Sequence, residues 1–199
     1  MMMKKNKSTK PHPLPETTVI EQAYKSAQHR KNFLEMFRST TFMLIVVAAF
    51  AVLVAILFLP ILRIYGKSMK GTLNSGDIVV SVKSGNFETG DVVAFYYNNN
   101  ILVKRVIAES GDWVDMDEKG NVYVNGKKLN EPYLSKKAYG KTNITFPYQV
   151  PEDRIFVMGD NREVSIDSRN TSIGAVSDEQ IVGRLVFKVW PLSEMGIIE

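Results

Sequence analysis

The hydrophobic pattern of the chain changes twice. From Phe42 to Leu62 (FMLIVVAAFAVLVAILFLPIL) no residue is charged and hardly one is polar. At helical rise such a run crosses a bilayer core of about 30 Å. No polar face interrupts it, which argues against a buried core helix. It begins too far from the N-terminus, and is too long, for the apolar part of a cleaved signal peptide. A permanent transmembrane helix over residues 41–62 is expected, preceded by a polar arm over residues 1–40. Within the arm, KKNKSTKPHPLPETT reads as disordered and IEQAYKSAQHRKNFLEMF as a helix close to the membrane. Beyond the run, residues 63–199 switch to short β-rich segments punctuated by glycine. DIVVSV, DVVAFYY, ILVKRVIA, WVDMD, NVYVNG, RIFVMG and IVGRLVFKVW read as strands, with Glu118-Lys119-Gly120 and Asn125-Gly126 as tight turns. The expected fold class is a mainly β domain preceded by one transmembrane helix.

Charge orients this arrangement. Lys4, Lys5, Lys7, Lys10, Lys25, Arg30, Lys31 and Arg38 precede the apolar run, against Arg63 and Lys67 just after it. By the positive-inside rule the arm is cytoplasmic and residues 63–199 are extracytoplasmic. The net charge of +4 is modest. Charges beyond the run are mixed, so no nucleic-acid partner is expected. The chain has no cysteine, and its two histidines, His12 and His29, both precede the run. The β domain must therefore do any chemistry without thiolate or imidazole. Its acidic residues form no calcium-loop pattern, and no cofactor or metal is expected.

A serine flanked by lysines, in YGKSMKGTL at 65–73, follows the span closely. Gly66-Lys67-Ser68 is not a phosphate loop, because that motif needs glycine where Ile61 stands. A Ser-His-Asp triad is excluded by the missing histidine. An active Ser68 would need a lysine or carboxylate as base. A lysine serves only when neutral; moving its pKa from about 10.4 to 7–8 takes roughly 3–4 kcal/mol, which desolvation can supply. Lys67 and Lys70 sit in a solvated loop. Lys104 differs: in ILVKRVIA, alternation puts Leu102, Lys104, Val106 and Ala108 on one face. It is either a perturbed functional lysine or one that snorkels to water from an edge strand. A second polar stretch, GDNREVSIDSR at 159–169, gathers hydroxyls, carboxylates and guanidinium groups; Asp167 and Arg169 could pair there, and Ser165 could bond an amine. Alone it reads rather as a capped surface turn.

In their order and spacing after a single span, these motifs resemble the bacterial type I signal peptidases, membrane-anchored serine proteases that release exported proteins from signal peptides. The likeness runs through GKSM around Ser68, GDVVAF at 90–95, KRVIAESGD from Lys104, VNGKKLNEPYL at 124–134, GDNREVSIDSR at 159–169 and the closing VGRLVFKVWPL. It implies a signal-peptidase-like extracytoplasmic domain in the cell membrane. Ser68 is then the nucleophile, Lys104 the general base, and Ser165 the hydrogen-bond partner of the lysine amine. Asp167 and Arg169 match the supporting pair, and Asp160 belongs to the same loop. The Ser68 N–H would serve the oxyanion hole, while Gly66 stands where some members carry a second, hydroxyl donor. The implied partners are exported preproteins with Ala-X-Ala cleavage sites, and membrane lipid.

One position departs from the family pattern. SMxPTL here reads SMKGTL, with Gly71 in place of proline, which predicts a looser loop after the nucleophile. Gly71 also supports an alternative, a non-proteolytic membrane-anchored assembly factor for surface proteins. Self-cleaving SOS repressors resemble the same Ser-Lys domain, but the span and the lack of a recognisable DNA-binding domain argue against them. A penicillin-binding enzyme is disfavoured because Gly71, not lysine, stands three residues after Ser68.

Overall fold

The computed structural model describes residues 17–83 and 85–198. The arm stretch expected to be disordered lies, up to residue 16, outside them. Helix α1 (Thr17–Phe58) is continuous, so the expected arm helix and the span are one element. No glycine or proline interrupts it, and Glu, Gln, Ala, Lys, Arg, Leu and Met favour helix through its first half. Its segment Tyr24–Ala55 is long and apolar enough to cross a membrane. Apolar side chains such as Phe42, Leu44 and Phe50 are exposed, as a lipid-facing helix requires and a core helix does not. The helix stops before Pro60, whose ring disfavours helix in the preceding residue. The last residues of the apolar run instead form β1 (Ile61–Arg63), so the helix ends short of the expected Leu62.

Residues beyond the helix form β2 (Ile78–Val82), β3 (Val92–Tyr97), β4 (Asn100–Ala108), β5 (Trp113–Met116), β6 (Val122–Val124), β7 (Lys127–Lys128), β8 (Tyr148–Gln149), β9 (Arg154–Met158), β10 (Val176–Ser177), β11 (Ile181–Trp190) and β12 (Gly196–Ile197). One antiparallel sheet has the order β1-β2-β11-β3-β4-β9-β10, with β12 on β11; a smaller one has the order β7-β6-β5-β8. Every strand expected from alternation is present. β1, β7, β8, β10 and β12 are additions, each too short to show a period of two. The Asn125-Gly126 turn closes the β6–β7 hairpin with both φ angles positive (52° and 75°), the geometry for which that dipeptide is suited.

The core has three apolar clusters, and two of them hold the site. Ile64, Met69 and Leu73 pack with Val79, Ala94 and Leu185, and Val103 lies against them. Val93, Phe95, Val106 and Val157 form a second cluster, joined by Leu102. β4 thus runs between two apolar layers. The sequence singled out one aliphatic face of this strand; in the structure Lys104 and Arg105, on opposite faces, are both buried.

Candidate active site

The segment from Ile64 to Leu73 is pinned at its apolar positions. Ile64, Met69 and Leu73 are buried, and the intervening backbone winds into tight turns: Thr72 and Leu73 donate to the Met69 carbonyl at 3.1 and 2.8 Å, and Lys70 N to that of Lys67 at 3.3 Å. Ser68, part-buried, sits on this rim. Its carbonyl accepts from Asn161 N at 2.9 Å, and Asn161 Nδ2 donates to the Lys67 carbonyl at 3.0 Å. The loop at 159–169 therefore clamps the backbone of the serine turn from across the fold.

Lys104 meets the serine from β4. Its Nζ lies 2.9 Å from Ser68 Oγ and 3.0 Å from the Val103 carbonyl. Burial drives the lysine pKa down from 10.5 to about 8; Asp167 and Asp160 pull it back up, Arg169 pushes it further down, and burial wins. Among the described residues the amine makes no direct ion pair, so the more distant Asp167 and Asp160 carboxylates offset only part of the cost of desolvating an ammonium. The alternation of ILVKRVIA thus yields a perturbed lysine. The snorkelling alternative is ruled out, since Lys104 is only 3% exposed.

The remaining polar groups form a buried layer behind the pair. Asp167 and Arg169 do pair, through Nε to Oδ1 and Nη2 to Oδ2, both at 2.8 Å. Asp167 Oδ2 also accepts from Gly159 N at 2.9 Å. Asp160 pairs with Arg105 through two bonds of 3.0 and 2.9 Å and accepts from the Thr72 hydroxyl. Arg105 lies 3.9 Å over the Tyr133 ring. Arg162 donates to the Gly159 carbonyl at 3.2 Å and pairs with Glu131. Arg105, Arg162, Glu131 and Thr72 escaped the sequence reading, because their partners lie far along the chain. Gly159 was also missed. A Cβ there would fall 2.6 Å from the Ser68 carbonyl and collide with the Ser165 side chain. Only glycine lets the loop approach the serine this closely.

One expected contact is not made, and one expected departure takes a definite shape. Ser165 is fully buried, yet its Oγ has no hydrogen-bond partner. The expected bond to the Lys104 amine is not formed; that amine instead contacts Ser68 Oγ and the Val103 carbonyl. Gly71 is more than a looser proline: its φ of +119° is one that proline, fixed near −65°, cannot adopt. The turn after Ser68 is thus built for glycine. Gly66, at φ +96°, offers no side-chain donor and has open space around its Cβ position.

In front of Ser68 and Lys104 runs a groove of about 520 Å³, walled by Leu62, Ile64 and Met69 on one side and by Ile101, Leu102 and Val103 of β4 on the other. Its walls are largely apolar, with Arg63, Asn99 and Asn100 also in the lining beside the amine and hydroxyl. A serine hydroxyl within hydrogen-bond reach of a buried amine, beside a cleft, is an arrangement suited to acyl transfer.

The family model described as signal peptidase, peptidase S26, matches residues 35–190. The chain is 42% identical over 151 residues to signal peptidase IB of Staphylococcus aureus (strain COL), covering 66% of this chain and 78% of that protein. To signal peptidase I of Bacillus amyloliquefaciens it is 38% identical over 164 residues, covering 76% and 87%. A crystal structure of a signal peptidase I from Enterococcus faecalis is 30% identical, with 50% of this chain and 97% of that chain covered and a TM-score of 0.44. The chain belongs to the signal peptidase family, peptidase S26, and is a serine endopeptidase with signal peptidase function.

Proposed function

We propose that Ser68 and Lys104 are the catalytic dyad of this signal peptidase, Ser68 as nucleophile and Lys104 as general base. The observation that carries the proposal is the 2.9 Å approach of Lys104 Nζ to Ser68 Oγ, made where burial holds the amine near a pKa of about 8. At pH 7 about a tenth of such a lysine is neutral, against well under a thousandth at its ordinary value. The neutral amine takes the Ser68 proton as Oγ attacks the scissile carbonyl, and returns it to the leaving amine. Water then releases the acyl group with Lys104 again as base. The Ser68 N–H supplies an oxyanion donor, with no side-chain donor at Gly66.

Asp167, Arg169 and Asp160 support the dyad by fixing the loop that holds the Ser68 backbone, and Ser165 contributes a buried hydroxyl to the same loop. The substrate strand lies extended in the apolar groove, bound through its main chain, and shallow apolar walls favour small residues of the Ala-X-Ala kind before the cut. Its source is an exported preprotein. The polar arm, residues 1–40, is cytoplasmic, the span over residues 41–62 anchors the chain, and the domain of residues 63–199 works on the extracytoplasmic face. The test is cleavage of an Ala-X-Ala preprotein by the detergent-solubilised full chain beside Ser68→Ala and Lys104→Ala. Release of mature product by the wild type alone is expected; equal release by either variant removes that residue from its role.

A further inference from the structure

The surface changes character on crossing Ser68. The groove is largely apolar, with Arg63, Asn99 and Asn100 in its lining; a second, more polar hollow of about 470 Å³ is lined by Lys70, Gly71, Asn74, Lys136, Asn161 and Glu163 among others. Groove and hollow share no lining residue: along this segment the groove takes residues up to Met69 and the hollow takes residues from Lys70 on. Lys70 and Gly71 stand two and three residues after Ser68. Asn161, on the hollow's wall, holds the carbonyls of Lys67 and Ser68. A peptide strand occupying the groove up to its scissile bond must continue past Ser68, and the hollow is the surface it meets next.

The charges in the hollow do not cancel. Asp160 borders it, but its carboxylate is taken up by Arg105 and Thr72. Lys136 and Glu163 pair with each other at 3.2 Å. Lys70 is exposed and has no ion-pair partner among the described residues. It stands on a turn whose Gly71, at φ +119°, cannot be replaced by proline without a new path for the chain. One positive charge is therefore left over where the leaving side of a substrate would lie.

We infer that this hollow is the subsite for the first residues after the cut and that Lys70 makes it prefer an acidic side chain there. The inference rests on the Ser68/Lys104 reading and adds a specificity determinant to it. An exposed charge pair favours acidic over neutral substrates by about two- to five-fold in kcat/KM and is weakened by salt. The test uses the full-length protein in detergent and peptides with a fixed Ala-X-Ala segment, carrying Asp, Asn or Lys at either of the first two positions after it. Wild type should rank Asp above Asn above Lys at one of those positions at low salt, with the spread shrinking at high salt, and Lys70→Glu should reverse the order. Ratios are the readout, so a general loss of activity in the variant does not mimic the effect. Equal rates for all peptides, with Ser68→Ala inactive, overturn the subsite and leave the dyad standing. An Asp preference that survives in Lys70→Glu also overturns it. Cleavage by Ser68→Ala, or none by wild type, overturns the dyad and this inference with it.

Discussion

Lys104 in β4 and Lys188 in β11 are both buried, both in strands of the large sheet, and opposite in behaviour. Around Lys188 burial pulls the pKa down, but bonds to Asp77 at 3.0 Å and Glu194 at 3.2 Å outweigh it, and the pKa is raised. Around Lys104 the direct contacts are a hydroxyl and a carbonyl, burial prevails, and the pKa falls to about 8. Lys188 is a fixed cation, which also donates to the Thr72 carbonyl at 3.2 Å and so holds the far end of the serine turn. Lys104 holds its proton less tightly than an ordinary lysine. Burial alone does not make a base; burial without a carboxylate within bond distance does.

Replacing Lys104 with Met should separate the two lysines most sharply. Loss of a general base removes about 10²–10⁴-fold of the cleavage rate. The same change should stabilise the fold, because the native state no longer shelters a disfavoured ammonium. A pKa of about 8 in the folded chain against 10.5 unfolded corresponds to about 3 kcal/mol, as an order of magnitude. The sign follows from proton counts: between pH 8 and 10.5 the unfolded chain binds more protons, so wild-type stability rises with pH across that window. The advantage of Lys104→Met should thus be full below pH 8 and gone near 10.5. Unfolding in detergent across this range checks it; a variant less stable than wild type at pH 7 would contradict it.

Lys188→Met should do the reverse. It strands the buried Asp77 carboxylate, and breaking one side of a buried pair costs about 3 kcal/mol or more. Below pH 10.5 the raised pKa of Lys188 contributes stability, lost as pH climbs above that value. Lys188→Met combined with Asp77→Asn should recover much of the loss, as measured by denaturant midpoints. Ser68→Asp should then convert the first site into the second kind. A carboxylate placed beside Lys104 should raise its pKa by about 1–3 units, readable from lysine side-chain NMR, whereas Ser68→Ala should leave it lowered.

The same pair shows how far the sequence can be read. Lys104 was legible because a lysine inside ILVKRVIA is an anomaly, and the span, the long strands and the Asn125-Gly126 turn were legible by length and alternation. Yet FKVW places Lys188 in a similar setting, and nothing local separates the two. What does is Asp77, brought alongside only when β11 pairs with β2. Arg105 and Asp160, or Arg162 and Glu131, were hidden for the same reason: ordinary surface charges in the sequence, matched in the core by topology. The short strands β7, β8, β10 and β12 take their pairing from neighbours and carry no periodic signal of their own.

The smallest effect is expected at Gly71, which joins the two lysine sites through the serine turn. A Cβ there would meet only the Tyr133 carbonyl at 3.6 Å, an ordinary contact, so Gly71→Ala costs backbone strain and little else. A left-handed φ for alanine amounts to about 1–2 kcal/mol. Turnover should fall less than tenfold, and the pH midpoint near 8 should stay where it is, because no group facing Lys104 has changed. Gly71→Pro cannot keep φ +119° and must re-route the turn between Ser68 and the Thr72 carbonyl held by Lys188, so its loss in turnover should exceed that of alanine. Proline as active as wild type would show that the turn moves freely, and that Lys188 clamps a segment whose shape the dyad does not depend on.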